Sequence, residues 1–328
     1  ISCARVSLER VGIEVDEYYA SEVDKYAIQV STKNYPDIKQ LGDINYLVSD
    51  GGLSKYLPEI DLLIGGSPCQ DLSIAKKDRK GLDGERSGLF WKYVDVLKYA
   101  KPKYFILENV NSMPKEAKQV ITETLGVEPI MINATLVSAQ NRKRLFWTNI
   151  QGVTLPEDRG ILLKDILEPK IGDEFIVKDK SNTIRSGGRS LGINDKHNWD
   201  TIRIGEYNKG GQGDRIYSPE GKSVGLSALG GGRGAKTGLY AVALRNRGEG
   251  KKPEVGGNKA NAMTTVQTDS MVMENTIIRK LTPVECERLQ GLPDNYTEGV
   301  SNSQRYKMLG NAFNVDVVAH ILSFIPKC

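Results

Sequence analysis

Between residues 4 and 148 short apolar runs alternate with segments of helical period, and this alternation restricts the fold more than any other feature of the chain. Helices are expected over residues 4–11, with Gly12 as a stop, and over 24–34, 88–99 and 117–125. The 88–99 helix has an apolar face of Leu89, Phe90, Val94 and Leu97. Strands are expected over 61–64, over 104–107 and ending at Glu108, and over 130–134 and 144–148. A further strand end lies near residues 18–22, with Glu22 at its tip. Alternation at this spacing predicts a parallel sheet covered on both faces. Ligands of such sheets bind beyond the carboxyl ends of the strands. Glu22, Asp43, Cys69 and Glu108 each follow a candidate strand, so all four are expected on one rim.

The run IGGSPCQDLS, residues 64–73, places Cys69 in a polar turn after an apolar strand. A cysteine kept for packing more often lies inside a helix or strand. On a rim shared with a carboxyl group, Cys69 is a candidate nucleophile, because backbone N–H groups or arginines there favour the thiolate. The bland alternative is a buried thiol. The other cysteines (Cys3, Cys286 and Cys328) are scattered and form no CxxC pair, against a disulfide framework or a structural zinc site. With only His197 and His320, neither a His-rich metal centre nor a Ser-His-Asp triad is expected. No metal is expected.

The 328 residues suffice for two domains, or for one large domain with an insertion. No apolar run approaches the roughly 18 residues of a membrane span. The first residues do not resemble a signal peptide. The net charge of +4 says little by itself. Its distribution says more: residues 178–270 hold 16 Lys and Arg against 9 Asp and Glu, a net of +7, which leaves 4 − 7 = −3 for the rest. The same window holds 18 of the 34 glycines. Three segments within it look alike, beginning at Lys180, Lys222 and Lys259. Short strands joined by glycine-rich loops fit this insert better than helices.

GGSPCQDLS at 65–73, ENV at 108–110 and QNRKR at 140–144 stand in the order and spacing of the cytosine-C5 DNA methyltransferases. RKLTPVECERLQGLPDNY at 279–296 and QRYKMLGNAFNVDVVAHIL at 304–322 resemble two further motifs of that family. The resemblance covers most of the chain outside the insert. It implies a doubly wound, Rossmann-like α/β methyltransferase sheet with a smaller, irregular β-rich recognition domain. The expected division is a catalytic, S-adenosylmethionine-binding part over 1–164, a target-recognition part over 165–278, and motifs over 279–328 that return to the catalytic part.

The resemblance also implies roles. Cys69 adds to C6 of cytosine, Glu108 contacts N3, Arg144 holds the base and orients the glutamate, and Arg142 faces phosphate or structure within the same catalytic group. The cofactor S-adenosylmethionine is met by Ile1, Ser2, Glu22, Val23, Asp43, Ile44, Pro68, Leu89, Asn311 and Ala312. The partner is double-stranded DNA, with its target base flipped out of the stack. Candidate DNA-binding residues are Gln70 and Ser73 in the loop after the cysteine, and Arg185, Arg189, Arg233, Arg245 and Arg247 in the insert. A cognate restriction endonuclease is a possible functional partner, and a cytoplasmic monomer is expected. Competing functions are RNA cytosine methylation and a catalytically silent DNA-binding homologue. The family begins with a strand and a glycine loop, whereas this chain opens inside that loop with Ser2 and Cys3 at positions where glycines are common. Simpler roles compete at several positions: turn acids for Glu22 and Asp43, a helix N-terminal carboxylate for Glu108, and a cap for a helix starting near Val315 in the case of Asn311.

Overall fold

The computed structural model describes residues 1–49, 53, 57–66, 89–169, 203–206, 215–219, 221–226, 239–243, 276–279 and 281–326. The chain divides into two compact units. The first comprises Ile1–Asn133, Lys143–Pro156 and Phe313–Cys328; the second comprises Ala134–Arg142 and Glu157–Ala312. The tail 279–328 is thus shared between them.

In the first unit, α1 (Cys3–Val11) ends at Gly12, whose φ of 73° closes the helix in the left-handed conformation that glycine adopts without strain. The strands β1 (Tyr19–Ala20) and β2 (Lys39–Gln40) pair in parallel. Between them lies α2 (Lys25–Asn34), capped by Asp24, whose carboxylate accepts from Tyr26 N and Ala27 N. After β2 comes α3 (Ile44–Val48).

The main sheet contains β3 (Leu62–Gly66), β4 (Tyr104–Val110), β5 (Ile130–Asn133) and, after a two-residue β6 (Gln140–Asn141) outside it, β7 (Lys143–Thr148). Its order is β3-β4-β7-β5. β3 and β4 are parallel as expected, but β7 runs antiparallel to both its neighbours. Chain length explains the difference. Only nine residues, 134–142, separate β5 from β7, whereas a parallel return needs a crossover of about a dozen or more. The helices α4 (Leu89–Ala100) and α5 (Lys115–Leu125) cover one face. There Phe90, Tyr93, Val94 and Ile121 pack with Leu107, Leu145 and Trp147 of the strands. Gly65 admits this layer, since a Cβ at that position would fall 2.6 Å from the Tyr93 ring. At the end of the chain α8 (Val315–Leu322) follows α6 (Pro283–Leu289) and α7 (Asn302–Asn311) of the second unit. It packs on α1, where Ser7 Oγ donates to Val315 O at 3.0 Å and Arg10 pairs with Asp316 at 2.9 Å. Asn314, not Asn311, caps α8, and its side chain accepts from Val317 N.

The second unit is β-rich among its described residues. β8 (Arg203–Glu206), β9 (Arg215–Tyr217), β11 (Leu239–Ala243) and β12 (Thr276–Arg279) form one sheet in the order β12-β11-β9-β8. β10 (Ser223–Val224) pairs instead with β6. The helices α6 (Pro283–Leu289) and α7 (Asn302–Asn311) close the unit. A Thr282–Glu285 capping box starts α6. Arg305 of α7 reaches the fully buried Glu287 of α6 at 2.8 Å.

Candidate active site

Glu108 lies inside β4, not beyond its end and not at a helix N-terminus. The strand continues through Val110 because β7 keeps pairing with it: Glu108 opposes Phe146, Asn109 opposes Leu145, and Val110 opposes Arg144. Side chains two residues apart along a strand share a face, so Arg144 is the diagonal neighbour of Glu108 across the pair. Such neighbours lie within reach of a long side chain. Arg144 Nε meets Glu108 Oε1 at 2.8 Å, with 20% and 13% of the respective side chains exposed. The guanidinium is further anchored by Nη1, which donates to Lys143 O at 2.9 Å. This leaves a carboxylate held in one orientation by a charge-assisted bond.

The other carboxylate oxygen faces β3. Gly66 is the parallel partner of Glu108, and a Cβ built on Gly66 would lie 3.4 Å from Glu108 Oε2 and 2.9 Å from Phe313 Cε1. The absent side chain is therefore what lets Glu108 and the Phe313 ring converge over the end of β3. Three residues further along the chain stands Cys69. Cys69, Pro68, Gln70 and Ser73 lie outside the described residues, as do Arg185, Arg189, Arg233, Arg245 and Arg247.

A second cluster forms after β1 and β2. Ser21 Oγ donates to Gly42 O at 2.7 Å and ties the two following loops together. Glu22 and Asp43 stand next to these two residues. Glu22 Oε1 accepts from Val23 N at 2.8 Å and from Asp24 N at 2.9 Å. Asp43 Oδ1 accepts from Asn45 N at 2.8 Å and caps α3. Both acids thus serve their own turns. Val23 is 68% exposed beside them, while Ile44 packs against the cluster of Leu47, Leu57 and Val96. Leu89 is the half-buried first residue of α4. Ser2 has φ 55°, a left-handed backbone that favours glycine, and its hydroxyl donates to Ser31 Oγ at 3.0 Å.

Arg142 is buried, and its guanidinium bonds main-chain carbonyls: Leu226 O at 3.4 Å, Gly310 O at 3.2 Å and Ala312 O at 3.0 Å. Of the two readings open at this position, phosphate or structure, these bonds are those of structure. They fasten the turn in which Asn311 is exposed and Ala312 buried. Gly66 and Phe313 also border Glu108, and both lie within the family motifs, although no local sequence signal marks either one.

Two solved structures that superpose on this chain are methyltransferases. The methyltransferase EhMeth of Entamoeba histolytica superposes with a TM-score of 0.64 at 17% identity, over 98% of this chain and 93% of that one. The Dnmt2 methyltransferase of S. pombe superposes with a TM-score of 0.58 at 16% identity, over 98% and 94%. The fold is therefore that of a Rossmann-like methyltransferase. Sequence narrows the class. Residues 1–327 match the C-5 cytosine-specific DNA methylase family. The type II methyltransferase M.HhaI of Haemophilus parahaemolyticus is 31% identical over 97% of this chain and 89% of its own length. The orphan methyltransferase M.SPRI of Bacillus phage SPR is 26% identical over 98% and 94%. The chain belongs to the C-5 cytosine-specific DNA methylase family. It is a DNA (cytosine-5)-methyltransferase that takes its methyl group from S-adenosylmethionine.

The residues present fit that donor. Two carboxylates on loops tied by the Ser21–Gly42 bond have the chemistry to accept from the two hydroxyls of a ribose, and the exposed Val23 beside Glu22 is apolar surface of the kind an adenine would pack on.

Proposed function

We propose that this enzyme methylates C5 of a cytosine flipped out of duplex DNA, through a transient bond between Cys69 and C6, with Glu108 and Arg144 holding the base. The observation that carries this reading is the Arg144–Glu108 pair at 2.8 Å, whose second carboxylate oxygen lies against Gly66 at the end of β3. The chain from Gly66 to Cys69 spans at most about 11 Å, which keeps the thiol within reach of a base that contacts Glu108.

The chemistry follows from the ring. Cytosine C5 is a poor nucleophile while the ring is aromatic. A Cys69 thiolate adding at C6 forms an S–C6 bond and opens the 5,6 double bond. Protonated Glu108 donates to N3 and gives its proton up there as electron density is pushed toward that nitrogen, then takes it back when the thiolate leaves; Arg144 keeps the carboxyl group aimed there. When bound, S-adenosylmethionine supplies the methyl group that C5 accepts. Loss of the C5 proton to water and expulsion of the thiolate then restore the double bond. Glu22 and Asp43 would hold the ribose, Val23 and Leu89 would border the adenine, and Ile1, Ser2, Ile44, Pro68, Asn311 and Ala312 complete the proposed cofactor set. Arg142 acts by holding the turn at 310–312.

The basic insert would supply phosphate contacts, and its arginines would supply base contacts. Gln70 and Ser73 would meet the DNA around the vacated base. Residues 165–278 would form the recognition part. The bacterial and phage relatives support a cytoplasmic site of action, and the orphan methyltransferases among them favour action without a restriction partner; a monomer suffices for the chemistry. The test has two arms. Bisulfite sequencing of DNA from a host expressing the protein should show cytosines protected in one short sequence. Labelled methyl groups should pass to duplex DNA and not to tRNA. Transfer to tRNA alone would establish the RNA alternative, and transfer to neither would leave a silent DNA-binding homologue.

A further inference from the structure

Lys222 has almost no exposed surface, at 1%, although it sits in a basic, glycine-rich insert where lysines would be expected to face DNA. Its Nζ donates to Thr135 O at 3.0 Å and also to Ile161 O. Burial pulls its ammonium below the usual lysine pKa, against the opposing fields of Asp158 and Asp165. An ammonium is costly to bury unless its protons are bonded. An apolar side chain would fill the same space without that cost, so the bonds themselves are what the position retains.

Those bonds hold the excursion between β5 and β7. Residues 134–140 are buried throughout. Lys222 grips the turn that opens the excursion, and Ser223 N donates to Ala139 O at 2.8 Å. β10 then runs parallel to β6, pairing Ser223 with Gln140 and Val224 with Asn141. Gly225 approaches so closely that a Cβ there would lie 3.1 Å from Asn141 O. Arg142 closes the set by donating to Leu226 O. One stretch of the insert, residues 222–226, therefore meets the backbone at Thr135 and at Ala139–Asn141 and the guanidinium of Arg142. Two residues further along stands Arg144, the partner of Glu108.

We propose that Lys222 is a positioning residue for methyl transfer: with the strand that it opens, it holds residues 134–142 on the path that delivers Arg144 to Glu108. This rests on the reading of Glu108 and Arg144 as the base-holding pair. It makes the insert more than a DNA-binding surface, because the backbone it grips runs directly into the catalytic strand. A small misplacement of a positioned group costs heavily in rate while leaving binding largely intact.

The test uses the full-length protein and a duplex carrying the sequence found by bisulfite mapping. Single-turnover methylation and duplex affinity are measured for Lys222→Met, Gly225→Ala, Arg144→Lys and the two double variants with Arg144→Lys. Lys222→Met and Gly225→Ala should each slow methyl transfer about ten-fold or more, with duplex affinity changed less than about three-fold. In the Arg144→Lys background each should add less than about two-fold, since residues acting through one group are not additive. Gly225→Ala keeps every donor in place, so it carries the test if Lys222→Met does not fold. Losses that multiply, or rates equal to wild type in both single variants, would overturn the proposal. If Arg144→Lys alone is as fast as wild type, the reading of the base-holding pair falls and this role falls with it. If Arg144→Lys is slow and the losses multiply, only the positioning role falls.

Discussion

Gly66 shows how much one missing side chain does. Its place at the end of β3 leaves room for the Phe313 ring and the second oxygen of Glu108, both of which a Cβ would crowd. Gly66→Ala should displace the carboxylate by a few tenths of an ångström or more and slow single-turnover methylation on the order of 10- to 100-fold, with the folded state retained by circular dichroism. Glu108→Gln keeps the shape and removes the acid. It should lower the turnover number by about 10²- to 10⁴-fold with little change in duplex affinity; full activity would show that Glu108 plays no part at N3. These two positions differ in how far the sequence exposes them. Glu108 is legible because its ENV motif follows an apolar run. For Arg144 the resemblance already assigns the orienting of the glutamate, but the direct bond depends on the register of two strands far apart in the chain, and no local pattern reports that register. Arg142 shows the same limit from the other side: the sequence leaves phosphate and structure both open there, and only the fold shows that it bonds carbonyls far along the chain.

At the scale of elements, hydrophobic period locates the four helices and four strands expected between residues 4 and 148 to within a few residues, but not α3, α6 and α7. Connection length is what corrects the sheet. The alternation of strands and helices predicts parallel pairing throughout, and the nine-residue path from β5 to β7 forbids it there. The continuation of β4 through Glu108–Val110 is also a tertiary effect, since polar residues at a strand end read as a turn until a partner strand is known to oppose them. Caps follow local rules more closely, as the Asp24 cap of α2 and the Gly12 stop of α1 show. The end of α4 breaks those rules. Lys101 closes α4 with φ 43° and its N–H on Leu97 O, directly before a proline. A non-glycine residue in this region is strained. Lys101→Gly should therefore raise stability by about 0.5–1 kcal/mol, read as a higher urea midpoint with unchanged slope.

For the whole molecule, composition makes the basic insert visible in the sequence. The basic, glycine-rich stretch stands apart from a conventional α/β framework, and the described part of that stretch is indeed built from short strands. The partition of the tail is not visible in this way. Residues up to Ala312 belong with the second unit and those from Phe313 with the first, because compactness depends on contacts distant in sequence. If the insert binds duplex chiefly through phosphates, raising salt from 50 to 200 mM should weaken non-specific binding on the order of 10²-fold for about four contacts. A salt-independent affinity would remove the insert's charge from the account. The central claim is a covalent one, and it is tested most directly by trapping. With duplex carrying 5-fluorocytosine at the target position and S-adenosylmethionine, C5 cannot lose its substituent as a proton, so the S–C6 bond should persist. The expected result is a denaturant-resistant protein–DNA adduct mapping to Cys69 and absent in Cys69→Ser. Normal methylation of unmodified duplex with no adduct on the fluorinated one, or an adduct that survives in Cys69→Ser, would contradict it.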